Sequence, residues 1–320
     1  MHQHLLFIKS TGLIEKRCVP KPTTPQLWAF IHIPKCGGTS VEEVLVHYGE
    51  HSKLKNTLDT YYIAGKGGNP HVVFNDFLSK FQGGVSTTTI KTGASSSASI
   101  SSNVSYAVML RNPISTWTSL YSYETRFQLA AAKRAWGAAS MKGLTVEQAL
   151  QLKTKFPEPM LDFLRSDIKI PVDFVLGGVG AGVGLSSGSG STEAEAKTEI
   201  ETNSQSKSHS ISQSQSQFPS EYSCAHYTSA VYGLLTHISV VGVLEHNYDF
   251  YDVWKKKSTL FDEELVKHLK QYGHSNKSDH TKVDKSIEIV KKYMEKHAFC
   301  EFLLWEVGNL IENSDLQCKV

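Results

Sequence analysis

Lys35 stands between a proline and two glycines in Pro34-Lys35-Cys36-Gly37-Gly38-Thr39-Ser40, an order of residue types that suits an anion. Glycines let backbone N–H groups converge on one point, and a following helix adds about half a positive charge at its first turn. The lysine brings a full charge to the same place. A second basic turn, Arg111-Asn112-Pro113, carries a guanidinium whose planar fork fits two oxygens of a phosphate. Ser119 follows about two helical turns later, where a hydroxyl can add one more hydrogen bond. Two separated anion grips suit a nucleoside with phosphate at both ends. Each stretch alone is also what an ordinary strand-to-helix turn or a surface arginine looks like.

The elements that must hold these residues follow from the spacing of apolar positions. Residues 28–33 read as a short buried strand ending at the lysine turn. Residues 106–110, YAVML, are a second such run, ending at Arg111, and residues 238–244 a third, ending at Glu245-His246. After the first turn, Val41, Val44, Leu45 and Tyr48 recur at helical spacing, and Thr39-x-x-Glu42 fits a capping box. After the second, Pro113 suits the first turn of a helix that sets Ile114, Trp117, Leu120, Tyr121 and Phe127 near one face. Thr145-x-x-Gln148 is another capping-box pattern. Helices are also expected over residues 226–237, 248–257 and 262–272, with Gly273 as the C-cap of the last, and from about Val283 through Leu304. His71-Val72-Val73-Phe74 reads as strand-like. Buried strands alternating with helices predict an α/β fold with a parallel sheet covered on both faces, and ligands in such sheets bind beyond the carboxyl ends of strands.

The chain has 320 residues, a formal net charge of +2 and 20% charged residues. It is no polycation, so bulk charge offers no argument for nucleic acid, and any anion affinity must be local. Residues 83–103, rich in Ser, Thr, Gly and Ala, and residues 177–217, Gly-rich and then Ser/Gln-rich, are expected to be disordered inserts. Without them roughly 260 residues remain, enough for one α/β domain with a sizeable core. The expected division is an N-terminal arm over residues 1–25 and a single domain over 26–315, interrupted at those two inserts. Five cysteines, Cys18, Cys36, Cys224, Cys300 and Cys318, match no CxxC metal pattern, and a Cys224–Cys300 disulfide is one pairing open to them. No metal-ligand cluster is visible. There is no run of 18 apolar residues and the opening apolar patch is too short for a signal peptide, so the chain as given reads as soluble.

The same residues resemble a known family, the carbohydrate sulfotransferases, and especially the Golgi group that includes the heparan sulfate 2-O- and 6-O-sulfotransferases. Members carry a 5′-phosphosulfate loop of the kind PKTGGTS after the first strand, matched here by Pro34, Lys35, Cys36, Gly37, Gly38, Thr39 and Ser40. Their 3′-phosphate motif, an RDP turn and a helix with Ser and aromatics, is similar to Arg111-Asn112-Pro113 with Ser119-Leu120-Tyr121-Ser122-Tyr123. A strand running into VGxxE resembles Val241-Gly242-Val243-Leu244-Glu245, and a late NKS loop resembles Asn276-Lys277-Ser278. Four motifs in order span residues 28–304, leaving out the arm and the two inserts. Asn112 replaces the usual Asp of the RDP turn, and Cys36 replaces Thr in the first loop.

The resemblance implies a P-loop-like three-layer fold, the donor 3′-phosphoadenosine 5′-phosphosulfate, and sulfuryl transfer to an acceptor hydroxyl without a metal. It assigns the N–H groups of Gly37 to Ser40 to the 5′-phosphate, Lys35 to the bridging oxygen, Arg111 and Ser119 to the 3′-phosphate, and Lys277 and Ser278 to a closing loop. Members often place a histidine base after the first helix, and His71 is the candidate here, with Glu43, Glu50 and the other histidines as alternatives. The acceptor expected is a glycan or another hydroxyl-bearing small molecule. The resemblance points to the Golgi lumen. Against it stand a cytoplasmic location and, for any membrane tie, an anchor missing from the given chain. Two other functions compete: a P-loop kinase or NTPase, although GxxxxGK[ST] is absent and Lys precedes the glycines, and a catalytically inactive glycan-binding relative.

Overall fold

Strands β1 (Leu27–Ile31), β2 (Tyr61–Ile63), β3 (Val104–Leu110) and β4 (Ile238–Val243) pair in parallel, in the order β2-β1-β3-β4. The computed structural model describes residues 2–21, 27–41, 61–63, 73–82, 104–126, 143–151, 158–171, 174, 226–246, 249–258, 263, 266–267 and 287–318. The register sets Ile31 opposite Val108 and Leu110 opposite Val243. The chain therefore leaves β1, β3 and β4 at one edge of the sheet. Both basic turns lie there.

The helices are α1 (His2–Ser10), α2 (Phe74–Gln82), α3 (Pro113–Arg126), α4 (Val146–Gln151), α5 (Pro159–Leu164), α6 (Tyr227–Thr236), α7 (Asp249–Lys257), α8 (Ile287–His297) and α9 (Phe299–Gln317). Alternate side chains of the strands enter separate cores, as the two-residue period of a strand requires. Trp28, Phe30, Ala107 and Met109 pack with Phe250 and Trp254 of α7. Ala29, Ile31, Tyr106, Val108 and Leu110 pack with α1, α2, α5, α6 and α9. A third cluster joins α3 to α4 and α8 through Trp117, Leu120, Val146, Leu150, Val290 and Met294. The α/β expectation holds: a parallel sheet flanked by helices.

Several details differ from the reading of the sequence. Phe74 opens helix α2 instead of closing a strand, because Phe74, Phe77 and Leu78 bury at helical spacing. His71 and Val72 lie outside the described residues, as do both expected inserts and residues 268–286. Residues 2–10, which show no clear periodicity, form α1, and Ile8 and Ile14 are buried in the core. The C-terminal region is two helices broken at Ala298. The Thr145 capping box is present: Gln148 N–H donates to Thr145 Oγ1 at 3.2 Å and Thr145 N–H to Gln148 Oε1 at 2.9 Å. Cys18 is bonded to Cys318, a pairing across a sequence separation of 300. Cys300 is also disulfide-bonded, while Cys224 lies outside the described residues.

At the amino ends of the strands, Arg17 donates to the carbonyls of Leu234 and Ile238 at 2.7 Å each and to Asp315 Oδ2 at 3.0 Å. Lys257 reaches Asp315 Oδ1 at 2.6 Å. A cleft of about 380 Å³ opens beside them, lined in part by Lys16, Arg17, His237 and Lys257. Two buried cations against one carboxylate look like a surplus of positive charge. The last turns of α6, α7 and α9 meet there, however, and their carbonyl ends offset the surplus. The cluster is a structural cap, and the cleft lies away from the basic turns.

Three carboxylates gather near the first turn of α5. Glu301 is 1% exposed, accepts the Leu161 N–H at 2.8 Å, and is held well above the usual carboxylate range by burial. Burial, and secondly the charge of Asp162, pushes Glu158 up to about 7. With the folded value above the unfolded one, the stability this group contributes is complete below about pH 4.5 and is lost as pH rises through about 7. Glu158→Gln is therefore expected to flatten the fall in Tm between about pH 5 and pH 7.5. An unchanged slope would remove Glu158 as its source.

Candidate functional site

The site begins where β1 stops. Ile33 N–H turns back to the Ile31 carbonyl at 3.1 Å and Cys36 N–H to the Ile33 carbonyl at 3.2 Å, so the chain reverses sharply over Pro34 and Lys35. Lys35 has φ 61° and Gly37 φ 85°. The left-handed region costs a residue with a Cβ on the order of 1–2 kcal/mol, so Lys35 needs outside support. It has that support: Arg111 Nη1 donates to the Lys35 carbonyl at 2.8 Å. At Gly37 a Cβ would also stand 2.8 Å from Leu244 Cδ1, and at Gly38 it would overlap the buried His32 imidazole. Close packing from below, as well as backbone freedom, thus fixes both glycines.

Residues 38–41 are helical, and the Gly37 carbonyl accepts the N–H groups of Ser40 at 3.1 Å and Val41 at 3.4 Å. Gly37 therefore holds the N-cap position that the capping-box pattern assigns to Thr39. Glu42 lies outside the described residues. The N–H groups of Gly37, Gly38 and Thr39 make no hydrogen bond among the described residues, whereas that of Ser40 is engaged. Three backbone donors at a helix start, beside a lysine, are the groups that an anion cradle requires.

The second turn is built as firmly. Asn112 Oδ1 accepts the Ile114 N–H at 2.9 Å and the Asn112 carbonyl accepts Thr116 N–H at 2.9 Å, so Asn112 caps α3 with Pro113 in its first turn. The amide thus does the ordering work of the carboxylate usual in an RDP turn. Asn112 N–H itself donates to both oxygens of Glu245, at 3.0 and 3.1 Å. Glu245 closes VGVLE at the end of β4, and it ties that strand end to the turn after β3. No role for it follows from spacing alone; its place at the end of a neighbouring strand was the available signal.

The electrostatics are those of crowded cations. Burial, and then Arg111, lowers the Lys35 ammonium to about 8. Burial also lowers Arg111. The Lys35 ammonium stands 3.9 Å from the centre of the Tyr123 ring. No carboxylate pairs with Lys35 among the described residues. Cys36 is buried, its Sγ 4.0 Å from Thr116 Oγ1, and burial pushes the thiol pKa up, so it packs as a neutral group. Ser119 lies on α3 and is 3% exposed. Pro34, Lys35, Cys36, Gly37, Gly38, Thr39 and Ser40 are thus brought to Arg111, while His71, Lys277 and Ser278 lie outside the described residues.

Fold and site define an α/β protein with a two-part basic turn at the carboxyl edge of a parallel sheet. No family model, no curated protein and no solved structure matches the chain. Among the described residues no helix is long and apolar enough to cross a membrane, and no group of His, Cys, Asp or Glu is placed to hold a metal ion.

Proposed function

We propose that the chain is a sulfotransferase that moves a sulfuryl group from 3′-phosphoadenosine 5′-phosphosulfate to an acceptor hydroxyl, with a carbohydrate as the favoured acceptor class. The observation that carries this reading is the 2.8 Å hydrogen bond from Arg111 to the Lys35 carbonyl, which joins two anion grips at one sheet edge. The residues fit a doubly phosphorylated nucleoside. Gly37, Gly38 and Thr39 have N–H groups to spare for a 5′-phosphate, and the rest of the Arg111 fork makes no hydrogen bond among the described residues. Arg111 with Ser119 would take the 3′-phosphate. Lys35 would stabilise charge on the bridging oxygen as the sulfuryl group departs in line. His71 remains the proposed base, and Lys277 and Ser278 the proposed closing loop.

In this reading the sheet belongs to a P-loop-like three-layer fold. Disulfide-bonded cysteines at 18, 300 and 318 favour an oxidising compartment such as the Golgi lumen over the cytoplasm. A kinase would need an acidic strand end for Mg²⁺. Glu245 is the residue so placed, and there it accepts the Asn112 N–H, tying the end of β4 to the second turn.

The test is comparative binding followed by transfer. The protein is expected to bind 3′,5′-adenosine bisphosphate more tightly than ATP–Mg²⁺, and to pass labelled sulfate to one member of a panel of glycans, phenols and steroids. Tighter binding of ATP–Mg²⁺ would overturn the reading in favour of a kinase. Bisphosphate binding with no transfer to any acceptor would favour a non-catalytic glycan-binding relative.

A further inference from the structure

The loop lies along one side of α3. Cys36 touches Thr116, and Lys35 reaches Tyr123 two turns further on. Ser119 and Tyr123 are four residues apart, so they share a helix face, which also runs close to Thr116. The proposed 3′-phosphate hydroxyl and the ring under the Lys35 ammonium therefore stand one above the other. Arg111, just after β3, is the charged group that acts on Lys35, and Tyr123 of α3 is the aromatic one against it, while Glu245, beyond the turn, accepts the Asn112 N–H.

A lysine this crowded by a neighbouring cation usually finds a carboxylate, and none pairs with it among the described residues. A carboxylate would steady the ammonium but cancel its charge, leaving little for an incoming anion. The face of an aromatic ring attracts a cation through its quadrupole and carries no net charge. On the sulfotransferase reading above, we propose that Tyr123 is the positioning residue of Lys35: its ring face holds the ammonium at the loop without neutralising it, ready for the phosphosulfate of the donor. The phenolic hydroxyl is not needed for this; the ring is.

Tyr123→Phe and Tyr123→Leu separate the two. In the full chain without ligand, Lys35 is titrated by competitive acetic anhydride labelling read by mass spectrometry. Wild type and Tyr123→Phe should titrate together near pH 8, and Tyr123→Leu about half to one pH unit lower. Binding of 3′,5′-adenosine bisphosphate at pH 7 should be within about twofold of wild type for Phe and about three- to tenfold weaker for Leu, with its alkaline limb moved down by the same interval. A Leu variant whose Lys35 titrates with wild type overturns the proposal. Failure of wild type to bind the bisphosphate sinks the sulfotransferase reading instead, and the labelling titration still decides what Tyr123 does to Lys35.

Discussion

Lys35→Ala is expected to lower sulfuryl transfer by about 10²- to 10³-fold, the usual consequence of removing one charge-stabilising group at a leaving oxygen. The fold should not suffer. Lys35 contributes a partly buried cation next to Arg111, and both burial and that neighbour act against its charge. Alanine pays a similar cost for φ 61° and keeps the carbonyl that Arg111 grips. Tm should stay near wild type or rise slightly, so a loss of rate is not a loss of protein. The protonated amine is the active form, and it is lowered to about 8, so wild-type turnover should fall as pH rises through about 8. The alkaline limb is absent in the alanine variant. Full transfer by Lys35→Ala would break the argument at its first step.

Arg111 should show the second-largest effect, and in a different quantity. Arg111→Lys keeps a charge but loses the fork that spans two phosphate oxygens. The preference for 3′,5′-adenosine bisphosphate over adenosine 5′-monophosphate should then drop by about 10- to 100-fold, with the monophosphate itself bound almost as before. Arg111→Ala goes further. It also removes the tie to the Lys35 carbonyl, at a cost of about 1.5–3 kcal/mol for a charged hydrogen bond. Without that tie the left-handed turn at Lys35 loses its brace, so 5′-phosphate binding weakens as well. Calorimetric titration of both nucleotides against the three proteins measures the ratio. An unchanged ratio in Arg111→Lys would place the 3′-phosphate elsewhere.

What could be read from the sequence was what local chemistry dictates. Strands β1, β3 and β4 are continuous apolar runs because both faces of the sheet are covered. The two turns were legible because Pro, Gly and Asn have few other uses in such places, and the Thr145–Gln148 box is a purely local pattern. What escaped depends on partners far along the chain. Strand β2 has three residues at the edge of the sheet, too few to show a period. Helix α1 mixes histidine, glutamine and lysine with its apolar residues, and only docking shows which side is buried. Placing the N-cap at Gly37 needed the carbonyl geometry, and the Tyr123 ring under Lys35 needed α3 to be set beside the loop. In the same way, an exposed Glu245 says nothing until the order of strands sets it against Asn112.

The bond between Cys18 and Cys318 has a consequence for the order of events in a growing chain. Synthesis delivers Cys18 300 residues before Cys318, and domains fold as the chain emerges. Strands β1, β3 and β4 can find their register, and the loop at Lys35 its brace on Arg111, before the second cysteine exists in the folding compartment. Helix α1 and the Arg17 cap have no covalent hold until then. The residues around Cys18 are thus made well before they are covalently secured. A chain stopped just before Cys318 would carry the candidate site intact, with α1 and the segment after it held by packing and by hydrogen bonds such as those of Arg17 to the Leu234 and Ile238 carbonyls.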